Sequence, residues 1–91
     1  MNLNITSLAK EKLLKLKEKN EPIKIKITGY TWCGAELGIV SEKQNGKDEI
    51  YNVDNLDIIV SEDLNGAVKG LKVDYKEGFF KKGFEVAPLF K

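Results

Sequence analysis

The sequence predicts an α+β fold built mostly from antiparallel sheet. Three observations carry that prediction. Short runs alternate apolar and polar residues at the strand period, most cleanly in Ile23-Lys24-Ile25-Lys26-Ile27-Thr28. One stretch, from about Ser7 to Lys19, keeps the helical period over several turns. Pairs of Gly, Asn and Pro punctuate the rest at close intervals, as in a chain of short elements. The 91 residues read as a single domain, 1–91, with room for one core.

Taken in order, Met1, Leu3 and Ile5 alternate with Asn2, Asn4 and Thr6, a short strand with one wet face. Thr6 or Ser7 caps the helix that follows, because either side-chain oxygen can accept from an orphan N–H of the first turn. Ala9, Leu13 and Leu16 share one helical face, flanked by Leu8 and Leu14. Lys15, Lys17 and Lys19 suit the negative end of the helix dipole. Asn20-Glu21-Pro22 ends the helix, since Pro disfavours the α region for the residue before it. The second strand runs from Ile23 to Thr28. Gly29 to Gly34 reads as a loop, and extended structure resumes from Ala35 to Ser41. Asn45-Gly46 marks a hairpin turn into a strand at Glu49 to Val53. Asp54-Asn55 turns the chain into another at Leu56 to Val60. These last three strands are expected to form an antiparallel meander.

Ser61 caps a short second helix, with Glu62 and Asp63 at its positive end and Asn65-Gly66 interrupting it. Leu71, Val73 and Tyr75 give a further strand, and Glu77-Gly78 a turn before the apolar Phe79-Phe80 and then Lys81-Lys82-Gly83. Phe84 and Val86 form a last short strand ended by Ala87-Pro88. The predicted order is β-α-β-loop-β-β-β-α-β-β.

Composition narrows the function classes. A hydrophobic share of 42% and a charged share of 32% are ordinary for a soluble globular protein. No apolar run approaches the ~18 residues that a membrane span needs, so no membrane partner is expected. The first residues show neither the basic nor the apolar region of a secretory signal. One cysteine leaves no internal disulfide, which points to a reducing cytoplasm. Every cation is a lysine, and without arginine the bidentate base and phosphate contacts of a sequence-reading nucleic-acid protein are missing. Residues 1–30 carry a net +4, residues 31–68 a net −6 and residues 69–91 a net +3. Such blocks either steer a partner or second copy, or merely solvate outer faces.

The one reactive atom is the sulfur of Cys33, in the loop framed by Gly29, Tyr30, Trp32 and Gly34. It reads in three ways: an inert loop hydrophobe with a protonated thiol, an ionised thiol that ligates metal or joins a partner, or a catalytic thiol. The last lacks support, because the chain has no histidine to act as base. A single cysteine also cannot run an intramolecular dithiol cycle, and no enzyme is expected. Tyr30 and Trp32 suit either the core or a subunit contact. The acidic pairs Asp48/Glu49, Asp54/Asp57 and Glu62/Asp63 have no calcium-loop spacing.

The order Ile5-Thr6, Ala9, Leu13, Leu16, then Ile25-Lys26-Ile27-Thr28-Gly29, then Cys33-Gly34, resembles the HesB-like family of A-type iron–sulfur cluster scaffold proteins. So do Leu71-Lys72-Val73-Asp74-Tyr75, Gly83-Phe84-Glu85-Val86 and the closing Pro88. The resemblance runs from about Leu3 to Pro88. It implies a β-sandwich with helices at one side, assembly or carriage of an iron–sulfur cluster or iron as cofactor, and a homodimer or higher oligomer working with other iron–sulfur assembly proteins. It also implies three cysteine ligands. Cys33 occupies the first position. The other two form a Cys-Gly-Cys motif near the C-terminus, where after Pro88 this sequence reads Leu89-Phe90-Lys91. The ligand set is therefore incomplete, and the alternative reading is an interaction module that binds a protein partner without metal.

Overall fold

The computed structural model describes residues 1–32, 34–78 and 82–91. The elements follow the predicted order: β1 (Asn2–Ile5), α1 (Ser7–Glu18), β2 (Ile23–Thr31), β3 (Gly34–Val40), β4 (Glu49–Val53), β5 (Leu56–Val60), α2 (Glu62–Ala67), β6 (Val68–Glu77) and β7 (Lys82–Phe90). They form two sheets, β1-β6-β7 and β3-β2-β5-β4. The pairs β2–β3, β4–β5 and β6–β7 are antiparallel. The pairs β1–β6 and β2–β5 are parallel.

One buried cluster joins everything. Ile5, Leu71 and Val73 come from the first sheet, Ile23, Ile25, Ile58 and Val60 from the second, Ala9 and Leu13 from α1, and Leu64 from α2. Burial of this apolar surface is the main force that holds the sheets and helices together. The face of α1 that carries Ala9 and Leu13 is fully covered, while Leu14 on its flank is exposed. Thr6 supplies the N-cap, accepting from the Ala9 N–H at 3.3 Å. The same hydroxyl donates to Asp74 Oδ1 at 2.9 Å, which pins the helix start to β6.

The end of α1 is built differently from the expectation. Asn20 takes a left-handed conformation at φ 58. Its N–H donates to Lys17 O and the Glu21 N–H to Leu16 O, the paired bonds of a Schellman motif. Pro22 follows a helix that has already stopped.

Four further expectations are corrected. The expected meander does not form, because β3 and β4 are not neighbours. β2 and β5 lie between them in the sheet, and the chain from Ser41 to Asp48 crosses about 14 Å, three strand spacings, from one edge to the other. Helix α2 runs through Asn65-Gly66. There the Asn65 side chain accepts from the Tyr51 hydroxyl at 2.6 Å, which offsets the weak helix propensity of the pair. Ser61 holds the N-cap position of α2 but makes no side-chain cap bond. The capping oxygen is Asp48 Oδ1, 3.0 Å from the Glu62 nitrogen. Finally, β7 continues through Pro88. It is an edge strand, the position in a sheet where proline is tolerated. The predicted apolar step Phe79-Phe80 and Lys81 lie outside the described residues.

Candidate functional site

The candidate site is the far end of the β2–β3 hairpin. Ile23 and Ile25 are buried and anchor the root of β2 in the core. Past Ile27 the apolar alternation stops, yet the ladder goes on. Tyr30 pairs with Ala35 and Thr31 with Gly34. The six-residue loop expected from Gly29 to Gly34 is thus mostly strand. The backbone groups of Tyr30 and Thr31 find partners across the hairpin, so periodic burial is not needed to hold them there. A register shift between Ile27 and Gly29 marks a bulge, and Gly29 faces Glu36 across it. Bulges raise local twist and re-aim the strand end.

Gly34 opens β3 at φ 129, a conformation that L side chains rarely adopt. The Thr31 hydroxyl donates to Gly34 O at 3.2 Å and closes the turn. Cys33 lies outside the described residues. Its neighbours in the chain are Trp32 and Gly34. Trp32 is 97% exposed and Tyr30 80% exposed. The open question about these two rings is therefore answered: neither belongs to the core. Of the residues framing the site, Tyr30, Trp32 and Gly34 come together at the tip, and Gly29 sits further back at the bulge.

Behind the hairpin, β3 runs close to β7. A depression of about 510 Å³ lies between them, lined by Thr28, Glu36, Leu37, Phe84, Glu85 and Ala87. Phe84 is fixed there by Tyr75, ring centroids 4.9 Å apart in an edge-to-face contact. Glu36 and Glu85 bring oxygen donors to this side of the hairpin. Among the described residues, no group of three or more His, Cys, Asp and Glu is placed to hold a metal. Iron–sulfur clusters take about four thiolates, and the whole chain has one cysteine and no histidine. The residues of a single chain do not fit a complete cluster.

A second, more apolar cleft, about 350 Å³, lies at the opposite end of β2. Pro22, Ile23, Ile50, Leu56 and Ile59 line it, with Lys17 and Lys43 at the rim. It is roughly 25 Å along the strand from the hairpin tip, at ~3.3 Å per residue, and no sequence signal pointed to it. No helix among the described residues is long and apolar enough to cross a membrane.

No family profile matches the sequence, and no curated protein does. Solved structures match the fold across nearly the whole chain. IscA, crystallised with a [2Fe-2S] cluster, superposes with a TM-score of 0.74 at 16% identity, covering 94% of this chain and 84% of that one. SufA from Escherichia coli, involved in biosynthesis of iron–sulfur clusters, gives 0.71 at 20% identity, covering 96% and 80%. A protein from Aquifex aeolicus, solved by solution NMR, gives 0.67 at 18% identity, covering 93% and 89%. The α+β sandwich implied by the sequence resemblance is the fold of IscA and SufA.

Proposed function

We propose that the protein is an A-type scaffold-like carrier in iron–sulfur cluster biogenesis, with Cys33 as its own ligand to the cargo and the remaining ligands contributed by other molecules. The observation that carries this reading is the match to IscA and SufA over more than nine-tenths of the chain. The hairpin adds to it. In sequence the one cysteine stands between Trp32, which is exposed, and Gly34, which opens the next strand.

The cluster is cargo in this reading. One chain supplies one thiolate, so two copies supply two, and carboxylates, a small thiol or a partner protein complete the set. An incomplete protein ligand set favours release, which suits a carrier.

The test is anaerobic reconstitution with ferrous iron and sulfide, followed by absorption spectroscopy and size exclusion. The wild type is expected to give a coloured species that elutes larger than the apo-protein, and Cys33→Ser to give none. Equal absence of colour in both proteins would sink the proposal.

The exposure of Trp32 and Tyr30 favours a second reading, in which the hairpin tip contacts a protein partner without metal. Aromatic residues concentrate in interface cores. In that case partner capture survives Cys33→Ser and is lost in Trp32→Ala.

A further inference from the structure

The chain contains two Asn-Gly pairs, Asn45-Gly46 and Asn65-Gly66. In such a pair the backbone nitrogen of the glycine meets little steric hindrance on its way to the side-chain amide carbon, because glycine lacks a Cβ and moves freely. The fold gives the two pairs opposite surroundings.

Asn65 and Gly66 lie inside helix α2. The Asn65 N–H donates to Ser61 O at 2.8 Å, and its side-chain oxygen accepts from the Tyr51 hydroxyl at 2.6 Å. A helical backbone aims each N–H at the preceding turn, so the Gly66 nitrogen is directed away from the Asn65 side chain. Asn45 and Gly46 are both exposed. The Asn45 carboxamide and the Gly46 N–H have no hydrogen-bond partner among the described residues. Gly46 sits at φ 57, with nothing within 4 Å of the place a Cβ would take. Only the ends of this turn are held. The Asn45 N–H donates to Asp48 Oδ2 at 3.0 Å, the Asp48 N–H to Asn45 O at 3.1 Å, and Gln44 Nε2 to Asp48 O at 2.7 Å.

We propose that Asn45 is a site of spontaneous deamidation and isoaspartate formation in the folded protein, and that the fold protects Asn65. The Gly46 nitrogen loses its proton to solvent base, and its electron pair forms a bond to Asn45 Cγ. The bond from Cγ to Nδ2 breaks, and that nitrogen takes a proton from solvent and leaves as ammonia. Water then adds to one of the two carbonyl carbons of the resulting cyclic imide. The ring opens to aspartate or to isoaspartate. One water enters, one ammonia leaves, and no electrons are transferred.

The product matters because of where the turn lies. A new carboxylate at position 45 shares a turn with Asp48, whose own charge is already committed to Lys24 at 2.7 Å. Isoaspartate also routes the backbone through one extra carbon, so the two bonds between Asn45 and Asp48 cannot both persist. The reaction therefore loosens the crossover from β3 to β4. This inference does not rest on the iron–sulfur reading.

The test is incubation of the full chain in mildly alkaline buffer, with peptide mapping by mass spectrometry and quantitation of isoaspartate. Asn45 is expected to convert at least about tenfold faster than Asn65 in native buffer, a barrier lower by ~1.4 kcal/mol. In denaturant, where neither the turn nor the helix survives, the two rates should converge. Gly46→Ala should suppress conversion at Asn45 and leave Asn65 unchanged. Asn45→Gln, which keeps the Gly46 backbone intact, should remove the signal as well. Equal rates in native buffer would overturn the proposal, and so would a ratio that persists in denaturant, since local sequence would then be the cause.

Discussion

Lys24 Nζ lies 2.7 Å from Asp48 Oδ2, and the two residues are only 7% and 8% exposed. Lys24 sits on the face of β2 that alternation assigns to water. The crossover from β3 to β4 folds over that face and brings Asp48 with it. Asp48 then does three things at once: it accepts from Lys24, holds the Asn45 N–H, and caps α2 through the Glu62 N–H. Removing one member of a covered pair strands the other charge away from water. Lys24→Met is therefore expected to lower the urea midpoint clearly. Lys26→Met is the control, because its partner Glu42 and Lys26 itself are substantially exposed. Its effect should stay within ~0.5 kcal/mol. Equal effects of the two variants would refute the special place of Lys24.

The same pair sets a pH dependence. The Asp48 carboxyl titrates below its ordinary value of 3.8, chiefly because Lys24 donates to it, with the Asn45 and Glu62 N–H groups adding and desolvation opposing. Asp74 is also lowered, first by the Tyr75 N–H and then by Thr6 and Lys76. A carboxyl with a depressed folded-state pKa contributes stability that is present above its unfolded pKa and is lost as pH falls through the folded value. Stability is therefore expected to be flat near neutrality and to drop below about pH 4. Asp48→Asn should be less stable than wild type at neutral pH, with the gap shrinking in acid. Urea titrations at a series of pH values read this directly, and a gap that widens in acid would contradict the assignment.

Thr6 links α1 to β6 through a single hydroxyl, which accepts from Ala9 and donates to Asp74. Thr6→Ala removes the cap and should cost about 1 kcal/mol in urea unfolding. Thr6→Ser keeps the oxygen and should recover most of that loss. Failure of serine to restore stability would mean that the methyl group, not the hydroxyl, carries the effect.

These cases show what was legible in the sequence. The element order was readable because each short segment carries its own period, as in Ile23, Ile25 and Ile27 against Lys24 and Lys26. Neighbours in the sheet were not, because a parallel pair such as β2–β5 depends on contacts made by residues far apart in the chain. Lys24 looked like a solvent residue for the same reason: what covers it arrives 24 positions later, in Asp48. The hairpin end was misjudged because Tyr30 and Thr31 are paired across the hairpin without periodic burial. At the candidate site, loop chemistry marked out the segment from Gly29 to Gly34, but alternation there did not say whether Tyr30 and Trp32 face inward or outward, and the register shift between Ile27 and Gly29 has no periodic signature.

That outward placement gives the last prediction. A ring that is 97% exposed, as Trp32 is, contributes almost nothing to folding. Trp32→Ala should leave stability within ~0.5 kcal/mol of wild type. Leu13→Ala, at a fully buried position on α1, should cost ~2–5 kcal/mol. The two substitutions are expected to act in opposite places on two readouts. Leu13→Ala lowers the urea midpoint and impairs association only as far as it unfolds the chain. Trp32→Ala leaves the midpoint alone and impairs association, whether measured as self-assembly during cluster loading or as capture of a protein partner. A large loss of stability in Trp32→Ala would mean that the ring packs against this chain after all, and the hairpin tip would lose its standing as a contact surface.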